Sequence, residues 1–110
     1  MLAFDTGQRE YLATGAAAVL GRSPRGHEPT DVALVVRDPD GTVSKTHLRI
    51  EHARDGVWLT DLGSTNGSAL LDDAGLATPL PPGVRTLLTD GDGVRLGRRA
   101  FTVSSMLAER

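Results

Sequence analysis

Short apolar runs recur along the whole chain, each closed by a cluster of turn formers, and no helix-length segment carries a 3.6-residue apolar period. That pattern constrains the fold more than any other feature, because a chain broken this often into extended pieces buries its apolar faces only by packing sheets together. Leu2-Ala3-Phe4 and Glu10-Tyr11-Leu12-Ala13 flank Asp5-Thr6-Gly7 as a hairpin would. Ala18-Val19-Leu20 leads into Gly21-Arg22, and the polar stretch Ser23 to Asp31 reads as a loop. Val32 to Val36 has no polar member, as expected of a strand covered on both faces. Asp38-Pro39-Asp40-Gly41 is a turn. From His47 to His52, Leu48 and Ile50 alternate with Arg49 and Glu51, and Asp55-Gly56 turns this half-buried strand into Val57 to Leu62. Ala69 to Leu71, a proline-rich connection through Pro79, Pro81 and Pro82, Thr86 to Leu88, a turn at Asp90 to Gly93, Val94 to Gly97 and Ala100 to Val103 complete the series.

The expected architecture is therefore an all-β sandwich of about eleven short, mostly antiparallel strands over residues 1–104, with 105–110 a tail or the start of a linker. A chain of 110 residues holds one core, and it buries roughly two thirds of the surface that its unfolded form exposes. Gly (13) and Pro (6) fit a loop-rich sheet protein better than a helical one.

Composition narrows the partners. A net charge of −2 gives no general attraction to nucleic acid or to an anionic membrane surface, which need clustered Lys and Arg. Any anion site must be local. The absence of cysteine removes disulfides and thiolate metal sites and fits a reducing compartment, so a cytoplasmic location is expected. The first twenty residues include Asp5, Arg9 and Glu10 and lack the apolar stretch of a secretory signal. Arg outnumbers Lys by eleven to one, a usage that points to a GC-rich bacterial genome and isolates Lys45 as the single lysine.

Lys45 stands in the most motif-like part of the chain. A phosphomonoester near neutral pH carries close to two negative charges and three acceptor oxygens. A receptor for it needs a planar fork of donors, a compact cation, a hydroxyl and free backbone N–H groups. Arg22 would supply the fork, Lys45 the point charge and Ser44 the hydroxyl. Each charge-assisted hydrogen bond is worth roughly 1.5–3 kcal/mol. Two or three of them with weaker peptide contacts reach micromolar binding, about −8 kcal/mol.

Five ordered motifs carry a family resemblance: Gly21-Arg22, Ser44-Lys45-Thr46-His47, Ser64-Thr65-Asn66-Gly67, Gly91-Asp92 with Val94-Arg95-Leu96-Gly97, and Phe101-Thr102-Val103. Over nearly its whole length the chain resembles a forkhead-associated (FHA) domain, a family that reads phosphothreonine in partner proteins. The resemblance implies an FHA-like β-sandwich with ligand loops at one end. By it, Arg22, Ser44 and Lys45 would hold the phosphate, Thr65 would approach the phosphothreonine, and Asn66 would bond the peptide backbone. Gly21, His47 and Gly67 would be structural. Arg25, Val43, Ser64 and Ser68 are further candidates for ligand contact, Val43 and Ser68 as readers of flanking residues. The implied partner is a phosphothreonine-containing protein or peptide: a kinase, a kinase substrate or the parent chain itself. The family's niche for the γ-methyl would favour phosphothreonine over phosphoserine by roughly 1–3 kcal/mol. The stretch from Arg22 to Ser44 is longer than in many members, and the extra Pro24 to Thr30 either brings Arg25 to the ligand or shields the site.

Two rival functions remain from the sequence. The same fold would serve as a phospho-independent interaction or oligomerisation module. Alternatively, Ser44 and His47 would form a nucleophile and base, but that pair is weak evidence, because a hydrolase also needs an orienting third group, an oxyanion hole and a strained nucleophile turn, so no enzyme is expected. Neither cofactor nor metal is expected: both Asp-rich turns place Gly fourth rather than sixth, and their twelfth residues are Arg49 and Phe101. His27 and His52 read as solvated, and Trp58 as a packing residue.

Overall fold

A computed structural model describes residues 1–26, 28–89 and 91–104. His27, Asp90 and the expected tail at 105–110 lie outside the described residues. Among the described residues eleven strands are present: β1 Leu2–Phe4, β2 Arg9–Glu10, β3 Ala17–Gly21, β4 Val32–Val35, β5 Leu48–Ala53, β6 Gly56–Asp61, β7 Ser68–Leu71, β8 Ala77–Pro79, β9 Thr86–Leu87, β10 Gly93–Leu96 and β11 Arg99–Val103. They form a six-stranded sheet, β2-β1-β11-β10-β7-β8, and a five-stranded sheet, β4-β3-β5-β6-β9. All pairs are antiparallel except β3 with β4.

Period-two alternation sends one face of each sheet inward. On β5, Leu48 and Ile50 are buried while Arg49 and Glu51 face outward, and on β6 Leu59 is buried. Val94, Leu96 and Phe101 answer them from the six-stranded sheet. Phe4 and Phe101 are register partners, with ring centroids 5.0 Å apart. Fully burying each such side chain contributes about 1.5–3 kcal/mol, so truncating Leu48 or Ile50 at the core centre would cost about 2–5 kcal/mol.

Four sequence expectations are corrected. Val32 to Val36 is not covered on both faces: β4 is an edge strand, and Val32 and Val35 are 44% and 57% exposed. Val36, just beyond the strand, enters the core, and Leu34 packs against it partly buried. A run with no polar member carries no alternation to report which face is covered, so the pattern could not reveal an edge. The edge is instead closed by buried Gln8, whose amide donates to the Val35 carbonyl at 2.7 Å and accepts from the Arg37 N–H at 2.9 Å. One side chain thus satisfies backbone groups that a neighbouring strand would otherwise claim.

The proline-rich connection holds a strand after all. Ala77–Pro79 pairs with β7 at the rim of the six-stranded sheet, where the missing N–H of Pro79 is tolerated. His52 is half-buried rather than solvated and donates from Nδ1 to the Leu12 carbonyl at 2.9 Å. Trp58 packs outside the core, because β6 turns Leu59 and Asp61 inward. Its ring lies under the Arg85 guanidinium, 3.9 Å from the centroid, and its Nε1 donates to Asp55.

Candidate functional site

Strand polarity gathers four chain segments at one end of the sandwich: the end of β3, the β4–β5 loop, the β6–β7 loop and the β10–β11 turn. The β3–β5 pairing continues past the strands, with Arg22 N–H donating to the Ser44 carbonyl and Ser23 N–H to the Lys45 carbonyl. Gly21 permits this approach. A Cβ there would stand 1.9 Å from the Lys45 carbonyl oxygen, so no other residue fits without moving backbone.

Two buried carboxylates and one buried imidazole organise the loops. His47 has no exposed surface, and its Nδ1 accepts the Ser44 N–H at 3.0 Å. An accepting Nδ1 requires the proton on Nε2, which donates to the Gly67 carbonyl at 2.9 Å. Burial pushes the His47 pKa below its ordinary 6.5, outweighing the Gly67 bond and the nearby Asp61 and Asp38 charges, so the ring is neutral near pH 7. The left-handed φ of +80° at Gly67 lets the loop turn back over the ring.

Asp61, ending β6, collects the next loop. Its oxygens accept from Gly63 N–H, Ser64 N–H, the Ser64 hydroxyl at 2.6 Å and the Ser68 hydroxyl. Burial raises its pKa, but those bonds and His47 win, and the carboxyl lies below its ordinary 3.8. Asp38 does the same for the β4–β5 loop. Its side chain is fully buried and accepts from the N–H groups of Asp40, Thr42 and Val43 and from the Thr42 hydroxyl, with Arg99 Nε 3.4 Å away. Again burial is overcome by hydrogen bonds, and the carboxyl stays below 3.8.

Above this buried layer lies a cavity of about 490 Å³ lined by Arg22, Ser44, Lys45, Thr46, Thr65 and Asn66, with Gly41 to Val43 and Gly63 completing its walls. Arg22, Ser44, Lys45, Thr65 and Asn66 are all five brought together, and among the described residues no carboxylate lines the cavity. Arg22 is held by Nε donating to the Val43 carbonyl at 2.7 Å, which leaves its terminal nitrogens without another bond among the described residues. Lys45 is exposed and unpaired among those residues. The Ser44 hydroxyl accepts Thr65 N–H at 3.1 Å and keeps its own proton to donate. Asn66 Nδ2 donates to the Thr42 carbonyl at 2.8 Å, and the Thr42 hydroxyl accepts Arg98 N–H. Donors left over on a fixed frame are what a multivalent oxyanion requires.

The remaining candidates sort differently. Val43 borders the cavity but is 1% exposed and belongs to the core, so its side chain is not free to read a ligand. Ser68 is 4% exposed with its hydroxyl committed to Asp61, and it is likewise out of reach. Ser64 braces the loop through Asp61. Arg25 anchors the inserted loop by its N–H to the Thr46 hydroxyl at 3.2 Å, and its side chain is not part of the cavity lining.

The sequence reading missed Asp38, Thr42 and Arg99 as organisers of the site. The only signal was an aspartate opening a turn just before the Thr42-Val43-Ser44 run, which looks no different from the exposed turn at Asp72.

The FHA domain family model matches residues 18–97. The chain belongs to the FHA family. It is 38% identical over 101 residues, 87% of its length, to the FHA domain-containing protein At4g14490 of Arabidopsis thaliana, and spans only 23% of that protein. It is 30% identical to the FhaA FHA domain in a crystal structure with the intracellular domain of Rv3910, with a TM-score of 0.62 and coverage of 91% of this chain and 93% of that one. A domain from a structural and functional analysis of phosphothreonine-dependent FHA interactions is also 30% identical, with a TM-score of 0.59 and coverage of 91% and 88%. The eleven strands in two sheets are thus an FHA β-sandwich, and the loop end described above is that of an FHA domain.

Proposed function

We propose that this FHA domain binds a phosphothreonine-containing segment of a partner protein through the cavity at its loop end, and that it does so without catalysis. The observation that carries the reading is the cavity's inventory: a guanidinium, an ammonium, a hydroxyl and an amide converge there, with no carboxylate in the lining among the described residues. FHA domains as a family typically bind phosphothreonine peptides, which supports carrying the motif roles to these positions. Arg22 grips the phosphate with its free terminal nitrogens, Lys45 adds charge, Ser44 donates its hydroxyl proton, and Asn66 turns from the Thr42 carbonyl to the peptide backbone. His47 plays no part as a base, because both its nitrogens are engaged with backbone groups.

The writer of the mark in this reading is a Ser/Thr kinase of the same cell, and the arginine-rich, cysteine-free composition supports a reducing, bacterial setting. The test is a titration against degenerate phosphothreonine, phosphoserine and unphosphorylated peptide libraries, with Arg22→Ala as control. Phosphothreonine-selective binding that drops by roughly tenfold or more in the control is expected, the loss of one or more charge-assisted bonds. Binding that survives both dephosphorylation and Arg22→Ala would transfer the site to a phospho-independent interaction module.

A further inference from the structure

Among the described residues four strands form the rims of the two sheets: β2 and β8 in one, β4 and β9 in the other. A bare rim invites another strand, and proteins blunt it by brevity, charge or proline. Arg9–Glu10 of β2 is short and charged, β8 ends in Pro79, and β9 is only Thr86–Leu87. Strand β4 carries none of these devices. It is the longest of the four, it reads Val32-Ala33-Leu34-Val35 with no charge, and all but Leu34 are exposed.

Its backbone is half used. In a parallel pair, alternate residues turn their N–H and C=O toward the neighbouring strand. Val36 N–H donates to the Gly21 carbonyl, and the register sets Val19 beside Ala33 and Gly21 beside Val35. Leu34 and Val36 thus face β3, while Ala33 and Val35 turn their backbone groups outward past the rim. Gln8 closes the far end of that row by taking the Val35 carbonyl and the Arg37 N–H. At the near end the Glu28 carbonyl takes the Asp31 N–H. Between these ends, the Ala33 N–H and C=O and the Val35 N–H have no partner among the described residues.

We propose that β4 pairs antiparallel with β4 of a second copy of this chain, about a two-fold axis at Ala33. Two alanines set opposite each other exchange both N–H and C=O bonds, so the open part of the row is complementary to itself. Gln8 fixes the register, because pairing cannot run past Val35. Arg37 and Glu28 stand exposed beyond the two ends of the row. Antiparallel order brings Arg37 of each copy toward Glu28 of the other, so opposite charges meet at both ends. A pair of such short strands buries less than the roughly 1,200–2,000 Å² of a stable interface, so the dimer is weak and reversible. Because β4 runs parallel to β3, which ends at the loop end, the two loop ends point in opposite directions. On the phosphothreonine reading above, the dimer therefore joins two marked partners rather than two marks on one short segment. The pairing itself does not depend on that reading.

Sedimentation velocity from about 10 µM to 1 mM, with amide exchange followed by NMR over the same range, tests the pairing. Two variants accompany the wild type. Val35→Lys changes an exposed side chain outside the core, and Ala33→Pro removes an N–H that points away from β3. The expected result is a monomer–dimer equilibrium that either variant weakens by roughly tenfold or more. The Ala33 amide should exchange about twofold more slowly where half the chains are paired, and more slowly still above that concentration. The Leu34 amide, which faces β3 in either state, should keep one rate throughout. A chain that stays monomeric to the top of the range overturns the proposal, and so does a dimer that survives both variants or leaves Ala33 exchange unchanged. An Ala33 amide protected only when a phosphothreonine peptide is added gives the rim to the ligand and equally overturns the second copy.

Discussion

Aspartates shape both ends of this sandwich, yet they do different work at each. At the end away from the cavity, Asp72 is exposed and bonds the N–H groups of Ala74 and Leu76, and Asp55 is exposed and receives Trp58 Nε1. These bonds are local and bathed in water, so each adds little beyond choosing a turn. At the loop end, Asp38 and Asp61 are buried, each accepts several hydrogen bonds, and each sits beside a side chain from elsewhere in the chain, Arg99 and His47 respectively. Burial makes those bonds obligatory, since removing the acceptor strands donors with no water to replace it. The loop end is rigid below and unsatisfied above; the opposite end is neither.

The comparison breaks most sharply at glycine. Gly21→Ala should destabilise the protein by about 3 kcal/mol or more, because its Cβ would meet the Lys45 carbonyl at 1.9 Å and the backbone would have to part. Gly75→Ala, in the opposite turn at φ +81° with nothing within 4 Å, should cost only about 1–2 kcal/mol of left-handed strain. Urea denaturation of the two variants ranks them, and equal losses would show that the loop end yields as readily as a surface turn.

A smaller contrast is expected between the carboxylates. Asp61→Ala leaves the Ser68 hydroxyl and the Gly63 and Ser64 N–H groups without their acceptor and should cost about 3 kcal/mol. Asp72→Ala should cost below about 1 kcal/mol. If both shift the denaturation midpoint alike, burial is not what distinguishes the two ends.

The smallest effect is in pH. The His47 pKa is depressed below its ordinary 6.5, so the unfolded chain takes up a proton before the native one does. Stability is thus full above about 6.5 and declines as pH falls below it, a slope that a variant lacking His47 would not show. Asp38 and Asp61 add a second decline at lower pH, since their depressed pKa values give stability that is present above 3.8 and is lost as the folded carboxyls protonate. Denaturation at pH 7.5, 6 and 5 isolates the histidine step. A flat profile across that range would mean that His47 is not held neutral by burial.

Much of this was legible in the chain. Alternation of Leu48 and Ile50 with Arg49 and Glu51, and turn residues such as Asp55-Gly56, specify a half-buried hairpin whatever surrounds it. Gly21-Arg22, Ser44-Lys45 and Thr65-Asn66 were recognisable as a set because their types and order resemble those of an FHA domain. Less legible were the uniformly apolar Val32 to Val36, which turned out to be an edge, and Val43 and Ser68, which the fold buries.

Residue type and local order therefore determined the sheet class, the turns and the donors available for an anion. Tertiary structure alone decided that β4 is an edge capped by Gln8, that Asp38 meets Arg99 and Asp61 meets His47, and that Arg22, Ser44, Lys45, Thr65 and Asn66 line one cavity. Those facts depend on which distant segments come together. Backbone propensity and side-chain alternation act over a few residues, while burial and long-range pairing exist only once the two sheets have packed.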